Sequence, residues 1–465
     1  MSASILWIFL PILAGAFLLF LRNQRWTAFV ASGLSFVLAL TAWLLPIETT
    51  FALGSSAFKL SSTFEILGRR LVLTTHEQPI LTLIYGAAAF WFIASPSIGK
   101  AHRLIPLGLV QIGLLVAALA VEPFLYAALL IEVAVLLTPP LLLSEGERPG
   151  RGLLRFVTFQ TLAMPLILFT GWLLRGIEAD PGASALIRQA AILLATGFVF
   201  LLAVFPFHTW IPLLSEEAAP YLTGFVFWIF PTSALLFAAG FIDRYAWIRT
   251  APQLPQILSA VGALMVAAGG LLAVFQNHLG RMLGYAVILE TGFSLLSLSL
   301  LDAQGVDIFF LLFVPRLIAL ALWALCLDIL HQNTPSLTLQ DLRGQLRRWP
   351  FASGGLILAH LSLAGLPTLA GFPIRLAIWE DLATLSLPLA AWALIGSLGL
   401  LAAAIRTLAA LVAAPAESTW EARESWPQRL FIALGGLALF GLGAFPQWIL
   451  PLLNRLPAIF EHLGG

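Results

Sequence analysis

Glu132 lies midway through PFLYAALLIEVAVLLTPPLLL, and Glu290 sits inside GYAVILETGFSLL. Three further ionisable groups occupy similar stretches. Arg316 follows a proline in FFLLFVPRLIALALW, His360 lies in LILAHLSLAG, and Arg375 closes SLAGLPTLAGFPIR. An ionisable side chain at the centre of an apolar helix costs about 2.5 to 3.5 kcal/mol on insertion scales, so it marks an ion path more often than decoration. The plainer reading is a charge turned inward and paired to fix helix register. That reading suits His360 best, since a lone histidine often bonds a neighbouring helix. For Glu132, flanked by aliphatic turns, the ion path is the better reading.

Two stretches break the helical pattern around these groups. One is AVFPFHTWIPLLSEEAAP at 203–220, with Pro206, His208 and Pro212; the other is the opening of the Arg375 segment, with Pro367 and Pro373. A proline inside a membrane helix frees a carbonyl, which is tolerated only where protein or water satisfies it. Discontinuous helices place such freed groups at the midplane, beside the ion site. The second break is therefore expected to open a polar pocket shared by Glu290 and His360. Arg375 there would keep a nearby carboxylate ionised, with Glu380 and Asp381 as candidate partners. Arginine itself does not exchange its proton, and the only lysines, Lys59 and Lys100, lie outside the apolar runs.

The elements that must position these groups are membrane spans. The chain of 465 residues is 60% hydrophobic and 10% charged. Apolar runs of about 17 to 25 residues, enough to cross the hydrocarbon as helices, follow one another throughout. They predict an all-α polytopic membrane protein with about fourteen spans, near 4–21, 27–46, 79–96, 104–121, 123–143, 154–175, 188–206, 221–242, 256–276, 282–301, 307–330, 350–372, 386–412 and 428–452. The N-terminal segment lacks a basic leader and cleavage site, so it reads as a retained first span. The whole chain reads as one integral membrane domain, with N-terminal helices over 1–103, two five-helix blocks at 104–243 and 256–413, and a C-terminal helix at 428–452. Alternation in RRLVLTT suggests a short β-hairpin within the 47–78 connection. Basic residues fall more often in loops that are inside if the N-terminus is outside, so both termini are expected on the outer face.

Several function classes drop out. A net charge of +1 gives no basic surface for nucleic acid. Cys326 is the only cysteine, which excludes an internal disulfide and iron–sulfur ligation by this chain. There is no phosphate loop, dinucleotide fingerprint, HExxH or GxSxG, and no two histidines have metal-ligand spacing. No catalytic residue, metal or bound cofactor is expected.

FPFHTWIPLLSEEAAP, QNHLGRMLGYAVILETGFSLLSL and SLAGLPTLAGFPIRLAIW occur in the order and spacing of a known family. The chain resembles the antiporter-like membrane subunits of respiratory complex I, above all subunit N of the NADH–quinone oxidoreductase, from about residue 104 to 412. The resemblance implies two inverted five-helix repeats, each with a broken helix, and a part in proton translocation. It implies homologous membrane subunits as partners, surrounding lipid, and a prokaryotic plasma membrane as location. Quinone and iron–sulfur clusters would belong to partner subunits only. Glu132 matches the family's fifth-helix glutamate. The seventh-helix lysine falls at Leu201, the eighth-helix lysine at Thr232 or Ser233, and the residue after the second break at Arg375. Glu290 stands where the family has glutamine or histidine. With those lysines absent, a degenerate proton path is expected. A cation/proton antiporter assembly, a proton-coupled inorganic-carbon uptake complex and a non-conducting spacer subunit stay open as alternatives.

Overall fold

The computed structural model describes residues 2–463 except 22, 54–55, 67, 144–145, 147, 180–183 and 414–418. Among the described residues, 11 helices are long and apolar enough to cross a membrane. Three shorter apolar helices, Ile5–Leu18, Ala185–Leu201 and Pro350–Ala364, complete the expected fourteen. The protein is an all-α polytopic membrane protein. Two boundaries differ from expectation for clear reasons. The span expected at 307–330 runs from Ala303 to His331, because Asp302 caps its first turn by accepting the Gly305 N–H at 2.7 Å. The helix expected at 428–452 spans Trp426–Ala444. Pro446 follows and cannot donate to the carbonyl of Leu442, so the helix cannot continue.

The chain divides into two compact units. The first comprises Met1–Glu147 and Val157–Leu201. Within it the helix Gln24–Leu44 packs on Gln78–Ala94, and Leu10–Leu18 packs on Ala101–Ala120. Buried polar groups tie these helices together. The Trp7 indole donates to the Leu38 carbonyl at 3.1 Å, and the Tyr85 hydroxyl donates to the Trp7 carbonyl. The 47–78 connection forms two hairpins rather than one. Strands β1 (Thr50–Leu53) and β2 (Ser56–Lys59) pair with each other, as do β3 (Thr63–Ile66) and β4 (Arg69–Val72). A short β5 (Val121–Glu122) adds to β4, where Arg70 meets Glu122 at 3.5 Å.

The second unit comprises Arg148–Phe156 and Leu202–Gly465. Its most enclosed spans are Pro220–Arg244, Leu279–Leu298 and Ala303–His331. The helix Leu254–Val274 packs on both Leu279–Leu298 and Leu387–Val412. Small residues allow this: a Cβ on Gly270 would lie 1.8 Å from the Gly396 carbonyl oxygen, so the two backbones touch there. The last described residues are held by Asp243, whose carboxylate accepts the N–H groups of Glu461, His462 and Leu463 at 3.2, 2.7 and 2.8 Å.

Both helix interruptions are present. The helix Ser184–Leu201 ends, a 3₁₀ turn covers Phe207–Thr209, and Trp210–Glu217 resumes. Likewise Pro350–Ala364 ends and Gly371–Leu385 resumes. In each case a proline, Pro212 or Pro373, sits at the third position of the resumed helix, where its missing N–H has no intrahelical partner to lose.

Candidate functional site

Glu290, Phe293 and Ser294 share one face of the helix Leu279–Leu298, because residues three and four apart lie over one another. Arg316 enters that face from the first turn of Phe313–His331. Its Nε donates to Glu290 Oε2 at 3.3 Å, and its Nη2 donates to the Glu290 carbonyl at 2.7 Å and to the Ser294 hydroxyl. Arg375, one turn into Gly371–Leu385, donates through Nη2 to Glu290 Oε1. Its guanidinium also lies over the Phe293 ring, 4.7 Å from the centroid. All three charged side chains are at most 2% exposed.

The second break makes this possible. Gly365 ends the preceding helix in the left-handed conformation (φ 82°), with its N–H bonded to the Ser362 carbonyl and the Leu366 N–H to the Leu361 carbonyl. This double closure is what a glycine just past a helix end provides. The Arg375 stem then passes the bare Cα of Gly365, where a Cβ would be 2.5 Å from Cδ. A Cβ on Gly371 would lie 2.0 Å from the Ser362 carbonyl oxygen, so the resumed helix starts hard against the end of the last one.

The structure bears on three expectations here. Arg375 binds Glu290, not Glu380 or Asp381. Residues five and six positions on in a helix point away from it, and Asp381 instead accepts from Gln304 at 2.8 Å. The Arg375 side chain lies in the break, against Gly365 and Gly371. A cleft of about 100 Å³ beside it, including Leu311, Pro315, Ala370 and Pro373, is lined by apolar side chains. Among the described residues no hydrogen bond joins His360 to Glu290. Its ring packs on Trp323 at 4.2 Å between centroids, and neither ring nitrogen makes a well-formed hydrogen bond, although the Leu400 backbone is close.

The groups around the first break are more dispersed. Glu132 is half-buried rather than fully interior. Its Oε1 accepts from the Thr161 hydroxyl at 2.8 Å, and its Oε2 is buried without a hydrogen bond. Leu201 is buried, and its carbonyl, left free where the helix stops, accepts from the Gln160 amide at 3.3 Å. Glu132 and Leu201 belong to the first unit; His208 and Thr232 belong to the second. His208 is buried and stacked on Phe205, and Thr232 is half-buried after Pro231.

Sequence reasoning missed Asp328, a fully buried carboxylate in CLDILHQN. Its Oδ2 accepts the Tyr221 N–H at 3.0 Å, which caps the first turn of Pro220–Arg244, and its Oδ1 accepts from Gln332 at 2.8 Å. The glutamine four residues on was the available signal. Glu217 does the same for another helix by accepting the Gly152 N–H at 2.7 Å. Among the described residues no cluster of His, Cys, Asp and Glu could hold a metal ion.

One carboxylate between two guanidiniums leaves a buried excess of one positive charge, and Arg316 Nη1 and Arg375 Nε make no hydrogen bond. Among the described residues Glu290 is the only exchangeable acid in this cluster; the arginines cannot relay its proton.

Comparison with known proteins agrees with this architecture. The family model described as NADH:quinone oxidoreductase/Mrp antiporter, TM, matches residues 153–401. NADH-quinone oxidoreductase subunit 14 of Thermus thermophilus is 30% identical over 340 residues, covering 68% of this chain and 73% of that protein. A chain of respiratory complex I from Thermus thermophilus with bound NADH superposes with a TM-score of 0.76 at 22% identity, covering 99% of this chain and 100% of that one. A chain of the Mrp complex from Dietzia sp. DQ12-45-1b gives 0.79 at 15% identity, with 99% of each covered. At those identities the two solved structures share the fold.

Proposed function

This chain belongs to the NADH:quinone oxidoreductase/Mrp antiporter transmembrane family, and on that premise we propose that it is an antiporter-like membrane-arm subunit of a complex I-type oxidoreductase, taking part in proton translocation. Its partners in this reading are homologous membrane subunits in a prokaryotic plasma membrane. Both termini face outward, and blocks 104–243 and 256–413 form inverted repeats. Quinone and iron–sulfur clusters belong to other subunits.

The observation that carries the proposal is the buried Glu290–Arg316–Arg375 cluster, built across a helix interruption. Arg316 and Arg375 each hold one oxygen of the Glu290 carboxylate, the exchangeable acid of the cluster.

The test is proton uptake by vesicles carrying the assembled complex and a pH-sensitive dye. Glu290→Gln should lower translocation more than Leu201→Ala, because leucine offers no exchangeable proton. Wild-type pumping in Glu290→Gln, with the complex intact by co-purification, would reduce the subunit to a scaffold.

A further inference from the structure

Three membrane spans end side by side in the second unit, and arginines gather there. The helix Pro350–Ala364 starts, Leu387–Val412 finishes, and Trp426–Ala444 starts at one level. The Gly344 N–H bonds the Ala410 carbonyl at 3.2 Å, and the buried Glu424 carboxylate accepts the Ala352 N–H at 3.0 Å. The strand of chain before Trp426 runs alongside residues 347–348, through Glu421 N–H to the Arg347 carbonyl at 2.9 Å and Arg423 N–H to the Arg348 carbonyl at 3.2 Å. Arg429 folds over the same place, donating to the Ala422 carbonyl at 2.6 Å with its guanidinium 5.6 Å from the Phe351 ring centroid. The patch therefore holds Arg347, Arg348, Arg423 and Arg429. Glu421 is occupied with Arg423 at 2.7 Å and Glu424 is turned inward, so among the described residues of the patch guanidiniums outnumber carboxylates. Two tryptophans frame it, Trp420 and Trp426, exposed by 67% and 74%.

We infer that this patch is a binding site for the phosphate headgroup of an anionic phospholipid. Tryptophan rings settle at the headgroup level of a bilayer, which places the arginines among lipid phosphates rather than in bulk water. Guanidinium pairs bind phosphate oxygens in a forked geometry that neutral zwitterionic headgroups satisfy less well, because their own ammonium competes. Basic residues at the ends of spans draw anionic lipid by roughly fivefold in affinity per arginine. The inference is independent of how protons cross the protein, since none of these residues belongs to the Glu290 cluster.

The experiment uses the full chain in nanodiscs of equal parts phosphatidylglycerol and phosphatidylcholine, with retained lipid counted by native mass spectrometry. Wild type should keep phosphatidylglycerol in preference to phosphatidylcholine. Arg347→Gln with Arg348→Gln should weaken that retention roughly thirtyfold, while Arg347→Lys with Arg348→Lys should stay within a few fold. The backbone bonds of both residues survive either change, and Arg69→Gln with Arg70→Gln removes equal charge elsewhere as a control. Four results would overturn the inference: unchanged retention in the glutamine variant, equal loss in the lysine variant, equal loss in the control, or displacement of the lipid by millimolar inorganic phosphate. Protection of Trp420 and Trp426 from an aqueous quencher by another subunit, without lipid preference, would also overturn it and assign the patch to a protein contact.

Discussion

Arg316 and Arg375 hold the two oxygens of one carboxylate, Arg316 through Nε at 3.3 Å from Glu290 Oε2 and Arg375 at Oε1. Neither guanidinium reaches water, so each depends on that single anion. Glu290→Gln therefore strands two buried cations, and removing one member of a buried pair costs about 3 to 5 kcal/mol. Adding Arg316→Met to Glu290→Gln returns the cluster to its original excess of one charge and should recover much of that loss. Thermal unfolding of the purified subunit, arranged as a double-mutant cycle, measures the coupling. Strictly additive effects would show that the three groups do not act as one unit.

The second break should be intolerant of a methyl group. Gly371→Ala drives Cβ to 2.0 Å from the Ser362 carbonyl oxygen, a backbone atom that cannot step aside. Gly354→Ala, in the same region, meets nothing within 4 Å. The first should lower the unfolding midpoint and proton translocation; the second should leave translocation unchanged and stabilise slightly, by up to about 1 kcal/mol for alanine over glycine in a helix. Matching behaviour of the two variants would contradict the close packing.

Asp328 should act as a helix cap supplied from another helix. Asp328→Ala leaves the Tyr221 N–H without this acceptor, at about 1 to 3 kcal/mol for a buried donor. Asp328→Asn keeps a carbonyl oxygen and should cost less. Hydrogen exchange at the start of Pro220–Arg244 reports the difference, with protection falling in the order aspartate, asparagine, alanine.

Outside the spans, one carboxylate should titrate unusually low. Lys59, 2.8 Å away, and the Ser62 N–H hold the exposed Glu48 down to about 2 from its ordinary value of 4.5. Because the folded value is depressed, this contribution to loop stability is complete above pH 4.5 and disappears as pH falls through about 2. Carboxyl carbon shifts, assigned with Glu48→Gln, give the midpoint, and Lys59→Ala should move it upward. A midpoint near 4.5 in the wild type would refute the pairing.

Much of this protein was legible in the residue order. Uninterrupted apolar runs define spans because each must satisfy its own backbone in lipid, and that is a local property. The breaks were equally local, since Pro206 and Pro367 remove donors wherever they stand. Glu290, Arg316 and Arg375 stood out singly for the same reason: a charge in an apolar helix is costly whatever surrounds it. Their association was not local. Arg375 offered Glu380 and Asp381 as neighbours along the chain, and only the packing of three separate helices shows that it reaches Glu290 instead. The tertiary structure also decided that the Arg375 side chain lies in the break, and that His360 lies against Trp323. Asp328 stayed hidden because its partner is a backbone N–H, a group every residue has and no sequence marks. Pairing across a membrane bundle depends on which faces meet, and side-chain spacing within one helix does not encode that.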